Sequence, residues 1–216
     1  MKPLVEGKDY TLVNEILIIR EGVKFIPPYS FDENHNFKSL FLPSTLISIG
    51  EGAFQNCLKL TGELIIPDSV KFIHDRAFCN CRLHYLTIGK NVAFIGNFAF
   101  NFNIISSIKN LSMKLYYVGS RAFFQVNDDK FSLRINGSKL YVENDALIGL
   151  DKIRISDEKN IINVTDLKTA SFDNKETYRI IKNQFKSVTS NYYYKYKKSK
   201  INEISNEELF NEQVTD

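Results

Sequence analysis

The sequence has few cysteines and no long apolar run. It contains 3 cysteines among 216 residues, too few for a disulfide framework, and the odd number leaves at least one free thiol. This favours a reducing compartment. No stretch reaches the roughly 18 apolar residues of a membrane-spanning helix, and residues 1–9 show no secretory signal. The expected location is therefore cytoplasmic, or the cell surface or outside the cell if the chain is a trimmed mature form.

The sequence also lacks a large excess of positive or negative charge, and it lacks catalytic motifs. Lys and Arg number 28 and Asp and Glu 25, a net charge of +3, which does not predict a polyanionic partner. There is no G-x-S-x-G, P-loop or H-E-x-x-H pattern, and Gly50-Glu51-Gly52 lacks the third glycine of a dinucleotide loop. No histidine has a partner at metal-ligand spacing. We therefore expect no enzyme, no metal and no cofactor.

What the sequence does have is an internal repeat of 22 to 24 residues. A large apolar residue recurs with a small residue directly before it and a β-branched residue five positions before it. A strand-like triplet such as Leu64-Ile65-Ile66 lies upstream in most units. The large residues are Phe31, Phe54, Phe78, Phe100, Phe123 and Leu147, and the β-branched ones are Ile26, Ile49, Ile73, Ile95, Val118 and Val142.

One such unit is too small to fold alone, because its few apolar side chains do not offset the entropy lost on ordering it. Stacked units share both faces, so an array can fold where the single unit cannot. The period is too short for a propeller blade and lacks the helix pairs of ankyrin-type arrays. The sequence predicts an α/β repeat solenoid, a curved array with one strand and a tight convex turn per coil and a helical segment at its C-terminal end.

The repeat pattern resembles a known family. Its two clearest copies resemble the BspA-like, or Treponema-type, leucine-rich repeat: Leu42-Pro43-x-x-Leu46-x-x-Ile49-x-x-x-Ala53-Phe54-x-x-Cys57 and Leu64-x-Ile66-Pro67-x-x-Val70-x-x-Ile73-x-x-x-Ala77-Phe78-x-x-Cys81. The resemblance covers about residues 15–156, with Leu111 assigned to the third strand position of the fifth unit. It implies a right-handed curved solenoid that binds proteins, often as a surface adhesin, and it implies no specific ligand.

The repeat divides the chain into three predicted segments. Residues 1–14 contain the strand-like run 10–13 and are expected to cover the open edge of the first coil. Residues 15–156 form about six coils, with 153–155 as the last rung. Residues 157–216 form a helical cap or extension, since an apolar stripe with helical spacing follows Asp173: Tyr178, Ile181, Phe185, Val188 and Tyr192.

The C-terminal segment has three possible roles. Residues 179–200 include seven basic and no acidic residues, and residues 203–216 include five acidic and no basic residues. The segment could cap the last coil, dock a partner or a second chain, or bind nucleic acid or an anionic surface through the Tyr/Lys cluster at 192–200. The neighbouring acidic run argues against a nucleic-acid site.

The strand surface is the predicted binding site. If Leu64 and Ile66 point inward, alternate residues of each strand point outward. A partner is expected to meet apolar anchors in the early coils and basic residues in the later ones: Phe41, Ile65, Tyr85, Arg134 and Arg154. The alternative is that β-branched and aromatic residues occur there simply because strand surfaces favour them. We expect a protein partner of unknown identity, non-catalytic binding, and a possible role in adhesion.

The remaining reactive side chains have structural explanations. Cys57 and Cys81 share one position in neighbouring units, which favours buried small apolar residues over a disulfide or a zinc site. His74 takes the position that Gly50 and Gly96 hold in neighbouring units. It is therefore expected to lie in a surface turn.

Overall fold

The structure is a computed structural model, and it describes residues 2–110, 112, 114–115, 117–124, 132–133, 140–143, 146, 154–155 and 161–164. Residues 3–169 form one compact unit. The regular elements of the described residues are strands, and most coils contribute one strand on one side and a second, short strand on another side. The fifteen strands are β1 Tyr10–Val13, β2 Ile16–Ile19, β3 Phe25–Ile26, β4 Ser39–Phe41, β5 Ser48–Ile49, β6 Thr61–Ile65, β7 Phe72–Ile73, β8 Arg82–Ile88, β9 Phe94–Ile95, β10 Ser107–Asn110, β11 Tyr117–Val118, β12 Ser132–Leu133, β13 Leu140–Glu143, β14 Arg154–Ile155 and β15 Ile161–Val164.

Strands in the same position of successive coils pair with one another. The short strands form one seven-stranded sheet, β15-β13-β11-β9-β7-β5-β3. The other strands form the sheets β1-β2-β4, β10-β8-β6 and β12-β14. A hydrogen bond of 3.0 Å from the Thr61 amide to the Lys38 carbonyl links the sheet of β4 to the sheet of β6. Pairing is parallel throughout these sheets except that β1 lies antiparallel to β2 along the edge of the first coil.

The stacked parallel strands confirm the predicted repeat solenoid, with one difference in the coil. The sequence predicts one strand per coil, whereas the β-branched positions form a second strand, in register from Ile26 to Val142. Strand β15 extends this sheet to Val164, beyond the predicted limit at residue 156. No helix occurs in the described coils, and the helical segment predicted after Asp173 lies outside the described residues.

The core is a column of stacked phenyl rings. Phe31, Phe54, Phe78, Phe100 and Phe123 follow one another with centroids 5.1–5.6 Å apart and ring planes within 11° of parallel. All five are buried, as are the alanines that precede four of them. A small residue is required there because the turn of one coil lies against the backbone of the next. The column therefore explains the alanine-phenylalanine pair that marks the repeat.

The turns that carry the alanine-phenylalanine pairs, which we call the convex turns after their predicted place, are joined by a third set of hydrogen bonds between coils. In the third coil the amides of Arg76, Phe78 and Asn80 donate to carbonyls of the fourth coil, each at 2.8 Å. Arg76 and Asn80 have φ of 55° and 57°, the left-handed region that asparagine tolerates better than most residues. These two left-handed residues turn the chain so that alternate amides point along the solenoid axis. Each coil is thus bonded to the next on its convex side as well.

The strand of the fifth unit was predicted in the wrong register. Asn110, and not Leu111, lies opposite Ile88 in the third strand position, and Ile108 lies opposite Leu86. The sequence was misleading because Ile108 is the only apolar residue within β10. This register places Ser107 and Lys109 on the outer surface of the sheet.

His74 is buried, so its predicted place in a surface turn is wrong. Its Nε2 lies 2.9 Å from the Ser48 hydroxyl, and its ring lies between Phe72 and Phe94. The glycines at this position are buried too, because the backbone approaches the preceding coil. A Cβ on Gly50 would come 2.6 Å from the Pro28 nitrogen. Glycine therefore indicates close contact between coils here and not exposure.

Cys57 and Cys81 are buried and free, as predicted, and they also bond the coils. Their thiols donate to the carbonyls of Phe31 and Phe54 in the preceding coil, at 3.0 and 3.1 Å. Asn103 fills the same position in the next coil, where its amide donates to the Phe78 carbonyl at 2.8 Å. The shared property of this position is therefore a small side chain with a hydrogen-bond donor.

Replacing Phe78 by alanine should lower the free energy of unfolding by about 3–5 kcal/mol, because it opens a cavity between two stacked rings. The matched control is Phe102→Ala, at a ring in a convex turn that is 49% exposed. This control should cost less than about 1 kcal/mol. Urea unfolding of both variants measures the difference, and equal losses would contradict the column as the main source of stability.

Candidate binding surface

The strand surface of the first five coils carries two parallel rows of outward side chains. Inward residues such as Leu17, Leu40 and Leu64 are buried, so their neighbours in each strand face outward. One row consists of Ile18, Phe41, Ile65, Thr87 and Lys109, and the other of Ile16, Ser39, Glu63, Tyr85 and Ser107. Backbone pairing joins members of each row within a sheet. We call this surface the strand face.

The first row is apolar over three successive coils. Ile18 is 38% exposed, Phe41 59% and Ile65 56%. Tyr85 in the second row is 53% exposed. A bulge in β8 helps to place this tyrosine, since Gly62 pairs with Leu83 whereas Glu63 pairs with Tyr85, leaving His84 as the extra residue. Three aliphatic or aromatic side chains thus form a continuous exposed stripe, with a tyrosine beside it.

The structure brings together three of the five predicted site residues. Phe41, Ile65 and Tyr85 lie on the strand face, in adjacent coils. Arg134 lies outside the described residues, and Arg154 is described only as a backbone position in β14. Sequence reasoning missed Lys109, because the register of the fifth unit was assigned from Leu111. The strict alternation around Ile108 would have been the signal to find it.

Charged groups surround the stripe with a cationic excess. Lys38 and Glu15 form an ion pair at 2.6 Å, and the hydrogen bond from Lys38 lowers the pKa of the Glu15 carboxyl. Glu63 accepts a hydrogen bond from the Thr87 hydroxyl at 3.4 Å. Arg82 and Lys109 are exposed on the same side, and in the described part of the chain neither has a carboxylate within 4.0 Å. The net local charge is therefore positive.

The thiols are poorly suited to nucleophilic chemistry. Burial raises the pKa of Cys79, and burial together with neighbouring Cys57 raises that of Cys81 well above its ordinary value. The thiolate is the reactive form of cysteine, so these side chains are held in their unreactive state. Among the residues that the structure describes, no group of three His, Cys, Asp or Glu side chains could hold a metal ion.

The pKa values of two adjacent groups, the buried His74 and the partly buried Asp75, shift in opposite directions. Burial lowers the pKa of His74 to about 4. Burial raises that of Asp75 to about 6, with repulsion by Glu51 and Glu143 adding to the effect and the Asn97 amide and Arg76 opposing it. The Oδ1 atom of Asp75 accepts a hydrogen bond from the backbone amide of Asn97 at 2.9 Å. In the next coil, the Oδ1 atom of Asn97 accepts the equivalent bond from the backbone amide of Ser120 at 2.8 Å. An asparagine at position 75 can therefore accept the same hydrogen bond as Asp75.

Comparison with known proteins identifies the repeat. A model of the BspA type leucine rich repeat region matches residues 24–154 with six copies, which is more than half of the chain. The chain belongs to the BspA-type leucine-rich repeat family. Proteins built from these repeats are generally non-catalytic modules that mediate protein–protein interaction or adhesion.

A solved structure of similar type is a leucine-rich repeat protein from Bacteroides ovatus. It is 21% identical, and the match covers 67% of this chain and 48% of that one with a TM-score of 0.37. The chain thus spans about half the length of that protein. No curated protein matches the chain. A search of the described residues finds no helix long and apolar enough to cross a membrane.

Replacing Asp75 by asparagine should stabilise the protein above pH 6. The folded-state pKa of Asp75 is raised, so wild-type stability from this group is present at low pH and is lost as the pH rises from about 4 to about 6. The variant should therefore exceed wild type in free energy of unfolding by on the order of 2 kcal/mol at pH 7.5. The difference should shrink towards pH 4.

Urea unfolding of wild type and Asp75→Asn at a series of pH values measures this difference in the free energy of unfolding. His74 is present in both proteins, so its own pH-dependent contribution to stability cancels in the comparison. Asp68→Asn is the control, because Asp68 is exposed and its pKa is lowered by Lys90. This control should bring no gain above pH 6. Equal or lower stability of Asp75→Asn at pH 7.5 would contradict a buried carboxylate at this position.

Proposed function

We propose that this chain is a non-catalytic protein-binding module that presents its strand face to a partner. The observation that carries the proposal is the stripe of Ile18, Phe41 and Ile65, three half-exposed apolar side chains on consecutive rungs. A contiguous apolar patch bordered by polar and basic groups is typical of protein interfaces. Interaction or adhesion is also what proteins of this family usually mediate.

The mechanism is the presentation of a preformed surface. Each rung beneath the stripe is buried on its inner side by a leucine such as Leu40 or Leu64, so the outward side chains stand on a backbone that is already ordered. Binding then costs little backbone entropy. Phe41, Ile65 and Tyr85 serve as apolar anchors, with Phe41 and Tyr85 the aromatic members. The role of Arg134 and Arg154 as selectors for a charged partner remains a prediction.

Adhesion outside the cell is the second candidate, since proteins of this family are often found at the cell surface or secreted. It uses the same strand face, and the location of the native protein distinguishes it from an intracellular role. The third hypothesis, binding of nucleic acid or an anionic surface by the Tyr/Lys cluster, concerns residues outside the described part of the chain. Salt-dependent retention on heparin that is lost on deletion of residues 173–216 would support it.

The division of the chain is also a proposal. Residues 1–14 would act as the edge cover of the first coil, a role supported by the antiparallel pairing of β1 with β2 and by the edge contact of Tyr10 with Phe31 at 5.1 Å. The segment 157–216 would act as a helical cap of the last coil or as an extension that docks a partner or a second chain.

Replacing both Phe41 and Tyr85 by alanine should abolish capture of the partner and leave the fold intact. The immobilised chain of residues 1–216 would be used to capture proteins, and each captured protein would be compared between wild type, the double variant and the control Phe102→Ala. A partner should be lost only with the double variant. The melting temperature should change by less than about 2 °C, as expected for exposed side chains.

Equal capture by the double variant and wild type would rule out the strand face as the binding site. A large fall in the melting temperature of the double variant would show that these two side chains support the fold, which contradicts their assignment to a free surface.

A further inference from the structure

We propose that the occupant of the strand face is an amphipathic α-helix with acidic residues, lying along the solenoid axis. This inference rests on the proposed function and specifies the partner of the same site. It follows from three properties of the described residues: the spacing of the apolar stripe, its width, and the charge at its end.

The spacing of the stripe selects a helix over an extended peptide. Ile18 pairs with Phe41 across β2 and β4, and Ile65 occupies the equivalent position of the next coil. At about 4.8 Å per coil, the three side chains span roughly 10 Å. A helix presents one side chain per turn to a surface, so three anchors at i, i+4 and i+7 span about 11 Å. An extended strand along the same axis presents every second residue, and its three anchors span about 13 Å.

A polyproline helix fits this stripe less well. Its equivalent positions recur every three residues, or about 9 Å, so anchors on Ile18 and Ile65 would leave Phe41, the most exposed of the three, uncovered. The α-helix is the one regular structure whose repeat matches the rungs to within about 1 Å over the stripe.

The width of the surface agrees with this geometry. The two outward rows are separated by two residues along each strand, about 7 Å, and a helix with its side chains is about 10 Å across. A helix over the first row therefore also reaches the second row, where Tyr85 stands beside the end of the stripe. Its hydroxyl and ring give the edge of the contact both a polar and an apolar group.

The charge beyond the stripe favours acidic residues on the helix. The first row continues from Ile65 through Thr87 to Lys109 in direct register, and Arg82 stands on the same side of β8. Neither cation has a carboxylate within 4.0 Å in the described residues. Glu15 is paired with Lys38, and Glu63 keeps its negative charge, so these groups of the face number three cations and two carboxylates. Lys109 lies two rungs past Ile65, so an acidic side chain about two turns beyond the last anchor would meet it.

The test uses three synthetic peptides of about 18 residues, long enough to span the five rungs. The first has leucines at i, i+4 and i+7, glutamates at i+14 and at a few other positions, and alanines elsewhere so that it forms a helix. The second has lysine in place of every glutamate, and the third has the first composition with a central proline that breaks the helix. Fluorescence anisotropy with the full chain should show the acidic helix binding at least about tenfold more tightly than either twin.

Variants of the protein locate the contact. Phe41→Ser should weaken binding of the acidic helix at least about tenfold, whereas Phe102→Ser should not change it. Lys109→Glu should reduce the preference for the acidic over the lysine peptide. Lys71→Glu, the matched reversal at an exposed lysine outside the strand face, should leave that preference unchanged.

Equal binding of the proline peptide would overturn the helix, and equal binding of the lysine peptide would overturn the charge preference. If no peptide binds but a captured partner is still lost with the Phe41 and Tyr85 double variant, this inference fails while the proposed function stands. If the double variant captures every partner as wild type does, the proposed function fails as well.

Discussion

The structure depends on contacts between coils, because no coil has an interior of its own. Each ring of the phenylalanine column stacks on the rings of the neighbouring coils, and hydrogen bonds join neighbouring coils at the two sets of strands and at the convex turn. A side chain at a given position therefore meets the same position of the next coil. Because of this constraint, the stacking of coils in the fold requires a repeated residue pattern in the sequence.

The same constraint explains the polar and small residues of the core. A buried carbonyl outside the strands gains a hydrogen-bond donor from the next coil, since an unpaired buried carbonyl is costly. Cys57, Cys81 and Asn103 supply that donor from one position although their chemistry differs. Glycine at position 50 has an equally local reason, the close approach of the Ile26–Pro28 backbone. Each departure from an apolar residue thus answers a need of the adjacent coil.

How far the sequence predicts the structure follows from this geometry. The stacked coils and the buried Phe, Ala and Cys positions are predictable, because each repeats in the sequence and repetition is the signal that stacking leaves. The second strand of each coil is not predictable from the sequence, since two residues are too few for an alternation of apolar and polar side chains to be visible. The register of β10 fails because Ile108 stands alone among polar residues, and the burial of His74 fails because glycine was interpreted as a turn residue. On the strand face, Phe41, Ile65 and Tyr85 follow from alternation, whereas Lys109 required the correct register.

The outward positions are under no such constraint. Thr87 and Lys109 continue the row from Ile65 in register, and Ser39 and Ser107 occupy the other row. The fold therefore accepts polar and charged side chains at positions of both rows, and the preference of strand surfaces for β-branched and aromatic residues acts equally on every rung. This preference does not account for a stripe that is confined to three consecutive coils and is followed, after Thr87, by the cation Lys109. A restricted apolar stripe with a charged end is what a partner of limited length would require, so the unevenness of the row, more than its apolar character, is the reason to regard the strand face as a binding site.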